Sequence, residues 1–151
     1  MSVPARPPAP AAPETLAAGA DFYGAPRLSP DGGRLAWIEW NHPNMPWDGT
    51  RLMVAGVRDD GTLAEPLEAD GGDDVAVVQP SWSPSGALHY VSDRSGWWNL
   101  VRWNGTGAGA DAGVPLLPMA AEFARPYWNF GQATYGFAGD GIAAAFTHDG
   151  F

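Results

Sequence analysis

The chain contains no cysteine. That excludes disulfides, thiolate metal sites and a cysteine nucleophile, and it fits a reducing compartment; a cytoplasmic location is the expectation. There is no lysine either: all eight basic residues are arginines, scattered from Arg6 to Arg125, against 17 acidic residues and a net charge of -9. A phosphate-binding surface needs clustered basic side chains, so no nucleic-acid partner is expected. No window approaches the ~20 apolar residues of a membrane-spanning helix, and no membrane partner is expected. The first 13 residues are too rich in proline for the apolar segment of a signal peptide. Residues 1–20 read as a Pro/Ala-rich flexible tail with, at most, one helical turn over 14–20.

What the chain has in quantity is 20 Gly, 15 Pro and eight Trp in 151 residues. Gly and Pro punctuate turns, and aromatic side chains favour strands. Many turns plus many aromatics predict short strands. Pro26-Arg27-Leu28-Ser29-Pro30-Asp31-Gly32 recurs 54 residues later as Pro80-Ser81-Trp82-Ser83-Pro84-Ser85-Gly86, and a weaker third copy begins at Pro126-Tyr127-Trp128. A period near ~50 residues suits one four-stranded propeller blade. In each copy Pro presets φ and Gly supplies a positive φ, so Ser-Pro-x-Gly makes a tight turn between two strands.

The expected fold is all-β: a partial β-propeller, TolB/WD40-like, of about two and a half to three four-stranded antiparallel blades. Blade 1 is placed at 21–75, with strands near 25–28, 35–40, 51–57 and 63–68. Blade 2 is placed at 76–122, with strands near 79–83, 87–92, 98–103 and 114–117. An incomplete blade 3 is placed at 123–151, with strands near 126–130, 134–138 and 142–147. Propellers close as rings of typically 4–8 blades, so the chain is expected to be a fragment.

Chemistry is sparse. None of the seven serines sits in Gly-x-Ser-x-Gly, the strand-turn-helix elbow of a hydrolase nucleophile, so no catalytic residue is assigned. Ser95 is a turn residue by its place in the repeat. His42, His89 and His148 are far apart, with no zinc spacing, and His89 falls inside a strand. Asp70-Gly71-Gly72-Asp73-Asp74 lacks the ligand pattern of a calcium loop and reads as a solvated loop between blades. No metal and no cofactor are expected. The segment that stands out is Glu39-Trp40-Asn41-His42-Pro43-Asn44-Met45-Pro46-Trp47-Asp48-Gly49, long for a hairpin connection and rich in aromatic and polar groups. Loops on a rigid scaffold collect binding residues. The competing reading packs its tryptophans on neighbouring blades and pairs Glu39 with an arginine such as Arg51.

This loop, the Leu28-Ser29-Pro30-Asp31-Gly32 turn, Ser92-Asp93-Arg94-Ser95-Gly96-Trp97-Trp98-Asn99-Leu100 and Ala121-Glu122-Phe123-Ala124-Arg125-Pro126-Tyr127-Trp128 follow one another in an order that resembles the prolyl oligopeptidase family, peptidase family S9. The nearest likeness is to its acylaminoacyl-peptidase and dipeptidyl-aminopeptidase-like members. The resemblance implies a serine peptidase whose N-terminal propeller screens peptide substrates for a C-terminal α/β-hydrolase domain. The triad would lie in that domain, which is absent from this sequence. It also implies a substrate-cavity wall, for which Trp40, His42, Asn44, Trp47 and Asp48 are the candidates. The alternative is a non-enzymatic TolB- or WD40-like binding propeller. A sialidase-type propeller fits less well, since Ser92-Asp93-Arg94-Ser95-Gly96 lacks the Ser-x-Asp-x-Gly spacing.

Overall fold

A computed structural model describes residues 12–109 and 112–148. Most of the Pro/Ala-rich tail, residues 1–11, lies outside the described residues, as do the last three residues of the expected incomplete blade 3, 149–151, and two residues of the Gly-rich loop. Residues 12–18 carry no helix or strand.

The architecture is all-β. Strands β1 (Phe22–Leu28), β2 (Arg34–Trp40), β3 (Arg51–Gly56) and β4 (Leu67–Gly71) form one antiparallel sheet in sequence order. Strands β5 (Val77–Trp82), β6 (Leu88–Ser92), β7 (Asn99–Trp103) and β8 (Gly113–Pro115) form a second sheet of the same plan. A hairpin of β9 (Tyr135–Ala138) and β10 (Gly141–Ala144) follows. These are two four-stranded blades and the start of another. They share one core cluster, in which Ile38 and Leu52 of the first blade and Val77, Tyr90 and Val91 of the second are fully buried. Each such aliphatic side chain contributes about 1.5–3 kcal/mol of burial. β2 and β6 have both faces covered, which is why neither shows a polar face in sequence.

The repeated turn owes its form to its serine. Ser29 Oγ accepts the Arg34 N–H at 2.9 Å, and the Ser29 carbonyl accepts the Gly32 N–H at 2.8 Å. Ser83 does the same for Ala87, at 3.0 Å, and for Gly86, at 2.9 Å. Gly32 and Gly86 adopt φ of 72° and 82°, the left-handed region open to glycine. The likeness extends one residue upstream of the proline that opens each copy: Ala25 and Gln79, which precede Pro26 and Pro80, have φ of 49° and 56° and sit at β-bulges.

Polar contacts lock the blades together. Thr50 Oγ1 donates to the Val77 carbonyl at 2.7 Å and accepts the Val77 N–H at 2.6 Å. The Trp82 indole donates to the Arg27 carbonyl at 2.9 Å. The Arg34 guanidinium lies 4.5 Å from the centre of a Trp82 ring and donates to the Gly86 carbonyl. Tyr135 carries the pattern forward, its hydroxyl donating to the Gln79 carbonyl at 2.7 Å.

Two expected strands are corrected. The outer strand of the first blade runs over Leu67–Gly71, not 63–68: Val57 and Leu63 form only an isolated bridge, and Pro66 has no N–H to offer a ladder. Residues 126–130 form no strand at all. The third inner strand is β9, and its turn at Gly139-Asp140 falls 54 residues after Ser85-Gly86. The repeat is therefore regular, and Pro126-Tyr127-Trp128 stands out of phase with it.

The Ser-Asp-Arg-Ser-Gly-Trp-Trp-Asn-Leu run is an anchor. Ser95 Oγ donates within its own turn to the Trp97 carbonyl at 3.0 Å. Buried Asn99 binds the next connection through both amide atoms, accepting from Met119 N at 2.8 Å and donating to the Met119 and Ala121 carbonyls. Asp93 Oδ1 accepts the Ala76 N–H at 2.8 Å. Burial, with a smaller push from the Glu122 charge, raises the Asp93 carboxyl above its ordinary 3.8. The folded chain thus holds this proton more tightly than the unfolded one. Asp93 ionisation takes stability away as pH rises from the unfolded value through the raised one. Asp93→Asn keeps the acceptor and is expected to flatten that decline. Urea midpoints of both proteins between about pH 4 and pH 7 test this, and parallel profiles would refute it.

Candidate functional site

In an antiparallel blade the β2–β3 and β4–β5 connections emerge at the same end. That end is where the tryptophan-rich loop lies. The loop is braced internally: Asp48 Oδ2 accepts the Met45 N–H at 2.9 Å, and Asn44 N donates to the Asn41 carbonyl at 3.0 Å. The His42–Pro43 peptide is cis. Asp21, just ahead of β1, ties the loop to the blade by accepting the His42 N–H at 3.0 Å and donating its own N–H to Asn41 Oδ1 at 2.7 Å. Asn44 Nδ2 donates to the Asp73 carbonyl at 2.7 Å. Arg51 binds Asp73 at 2.6 Å and Glu68 at 3.4 Å.

Two clefts open here. The first, about 350 Å³, is lined by Glu39, Trp40, Asn41, His42, Asn44, Thr50, Arg51 and Asp73 among others. The second, about 220 Å³, is lined by Phe22, Trp40, Met45, Pro46, Trp47, Tyr127, Trp128, Asn129 and Phe130, with no charged side chain. Phe22 stacks on Trp40 with ring centres 5.3 Å apart and meets His42 edge-on at 4.9 Å. Trp47 and Trp128 lie 4.2 Å apart.

Of the residues singled out in sequence, Trp40 lines both clefts, His42 and Asn44 line the polar one, and Trp47 lines the aromatic one. Asp48 is exposed, lines neither, and serves as the internal brace of the loop. Glu39 does not pair with Arg51 in an ion bridge. It accepts the Trp37 indole N–H at 2.8 Å, while Arg51 turns to Glu68 and Asp73. The Asp70–Asp74 segment is only partly solvated: Asp70 is buried and ion-paired to Arg94. Sequence reasoning missed Tyr127, Trp128 and Phe130 as site residues, because they were assigned to a strand. The signal was their lack of a following Ser-Pro-x-Gly turn.

The histidines have ordinary roles. His89 is buried, its Nδ1 lies 3.0 Å from the Ala87 carbonyl, and its ring meets Phe137 edge-on. Burial, helped by the Arg102 charge, lowers its pKa and favours the neutral ring. His148 packs against Phe146. Among the described residues no group of three or more His, Cys, Asp or Glu could hold a metal ion.

Fold and repeat together define a segment of a β-propeller. Its sequence places it further. The chain is similar to puromycin hydrolase, with 40% identity and a TM-score of 0.77 over 85% of this chain and 19% of that one. It is similar to a Mycobacterium tuberculosis puromycin-hydrolyzing peptidase, with 41% identity and a TM-score of 0.79 over 89% of this chain and 20% of that one. No family model matches the chain, and no curated protein matches it. Over that match the chain corresponds to part of the propeller domain of puromycin hydrolase, an enzyme of peptidase family S9. It spans about one fifth of the length of these solved relatives.

Proposed function

We propose that the chain is the propeller portion of a serine-type peptidase, and that it gates the access of peptides to a hydrolase domain. The observation that carries this reading is the identity of about 40% to two puromycin-hydrolyzing enzymes over most of the chain. The loop end of the blades, with its two clefts, is the wall that would face the substrate. The acyl transfer itself would belong to a Ser-His-Asp set in the hydrolase domain. A cytoplasmic location is part of the same proposal, supported by the lack of cysteine.

Two measurements test it. The 151-residue chain should not react with a fluorophosphonate serine-hydrolase probe, and stoichiometric labelling would overturn the division of labour. Grafted in place of the matching segment of the M. tuberculosis peptidase, the chain should preserve puromycin hydrolysis. A hybrid whose hydrolase domain still takes the probe but whose puromycin turnover is lost would overturn the gating role.

A further inference from the structure

We propose that the two clefts form a single groove, and that its aromatic end, framed by Trp47, Trp128 and Phe130, takes the side chain of an aromatic residue in a short peptide. The inference rests on reading this end as the peptide-facing wall. Trp40 is the shared partition, so the polar and aromatic clefts adjoin along one side chain. Together they approach the size of a small-ligand site, mostly apolar with a few placed polar groups.

Three observations choose the occupant. Trp128 and Phe130 are 70% and 78% exposed, yet Trp128 is held against Trp47 and Phe130 meets Tyr127 edge-on at 6.0 Å. They are positioned rings with most of their surface uncovered. The aromatic cleft, at about 220 Å³, is concave and of a scale for one ring, not for the flat apolar patch of a second copy. Aromatic pairs also prefer the offset and edge-on geometries that such a cradle offers an incoming ring. In the polar cleft the carboxylates of Glu39 and Asp73 outnumber the single guanidinium of Arg51. That balance disfavours an anionic ligand and suits the amide and amino donors of a peptide.

The test uses the chain itself and two probes, Phe-Gly amide and Ala-Gly amide, read by the indole N–H resonances of the eight tryptophans. Phe-Gly amide should shift the Trp47 and Trp128 signals saturably. Ala-Gly amide should bind roughly tenfold to a hundredfold more weakly, the effect of not burying one aromatic side chain. Trp128→Ala and Phe130→Ala remove exposed rings with little effect on folding, and each should weaken Phe-Gly amide about tenfold. Trp97→Ala, on the turn of the other blade, should leave it unchanged. Equal shifts with both probes, or full affinity in both cleft variants, would overturn the proposal. So would indole signals that follow protein concentration in place of ligand, which would make the face a contact between copies. Failure here leaves the fluorophosphonate and graft results untouched, so the two readings fall separately.

Discussion

Gly71→Ala lowers the unfolding free energy by about 3 kcal/mol. Gly71 ends β4 with φ of 108°, paired with Arg51 and just past the bulge that Ala69 makes in β4. A methyl group here strains the backbone and points into the Thr50 carbonyl oxygen, well inside van der Waals contact. That carbonyl accepts the Gly72 N–H at 3.0 Å, and the Thr50 hydroxyl holds Val77 of the next blade. The substitution therefore pushes on the residue that joins the blades beneath the polar cleft. Gly72 is the internal control. Its φ is 148°, but a Cβ there meets nothing within 4 Å. Gly72→Ala should cost about 1 kcal/mol. Urea melts with unchanged slope are the measurement, and equal costs at the two positions would show that the Thr50 contact does not matter.

Arg94→Met is the second large effect, at about 2–3 kcal/mol. Asp70 is buried at 3% exposure and takes the Arg94 guanidinium and the Gly71 N–H, the latter at 2.8 Å. Buried beside it, the Tyr90 hydroxyl has no well-aligned partner; burial first, and then the Asp70 charge, push its pKa up. Without Arg94 the carboxylate keeps the desolvation and loses the counter-charge. A fully buried pair costs about 3–5 kcal/mol when broken; Arg94 is about one-third exposed, so water compensates in part. Adding Asp70→Asn removes the stranded charge and should recover part of the loss. A double variant less stable than Arg94→Met alone would show that the charge is not the cause.

The inner and central strands were legible because their local chemistry agrees with their burial. Residues 35–40 are apolar on both faces apart from Glu39, and both blades repeat a serine whose hydroxyl closes its own turn. The errors have physical causes. Asp59-Asp60-Gly61 does turn the chain, with the Asp60 carboxylate accepting from Thr62 and held below its ordinary pKa. The strand expected to follow is interrupted by Pro66, and pairing resumes only at Leu67. Pro126 resembles Pro26 and Pro80 in one dimension only: Ala25 and Gln79 twist into left-handed bulges, whereas Pro126 opens an irregular crossing that lays Tyr127 against Gly24. Half of the candidate site was visible because it occupies one continuous loop. Trp128 and Phe130 reach that loop from more than 80 positions away, and no local pattern in the sequence carries that contact.

That crossing has an evolutionary consequence. Propellers grow by duplicating whole blades, and a duplicated unit brings its own hairpins with it. The groove obeys no such module: its polar end belongs to the first blade and the link to the second, and part of its aromatic wall comes from the connection leaving the second. Copying or deleting one blade between them would separate Trp47 from Trp128, so descendants that keep the groove must keep these blades as neighbours.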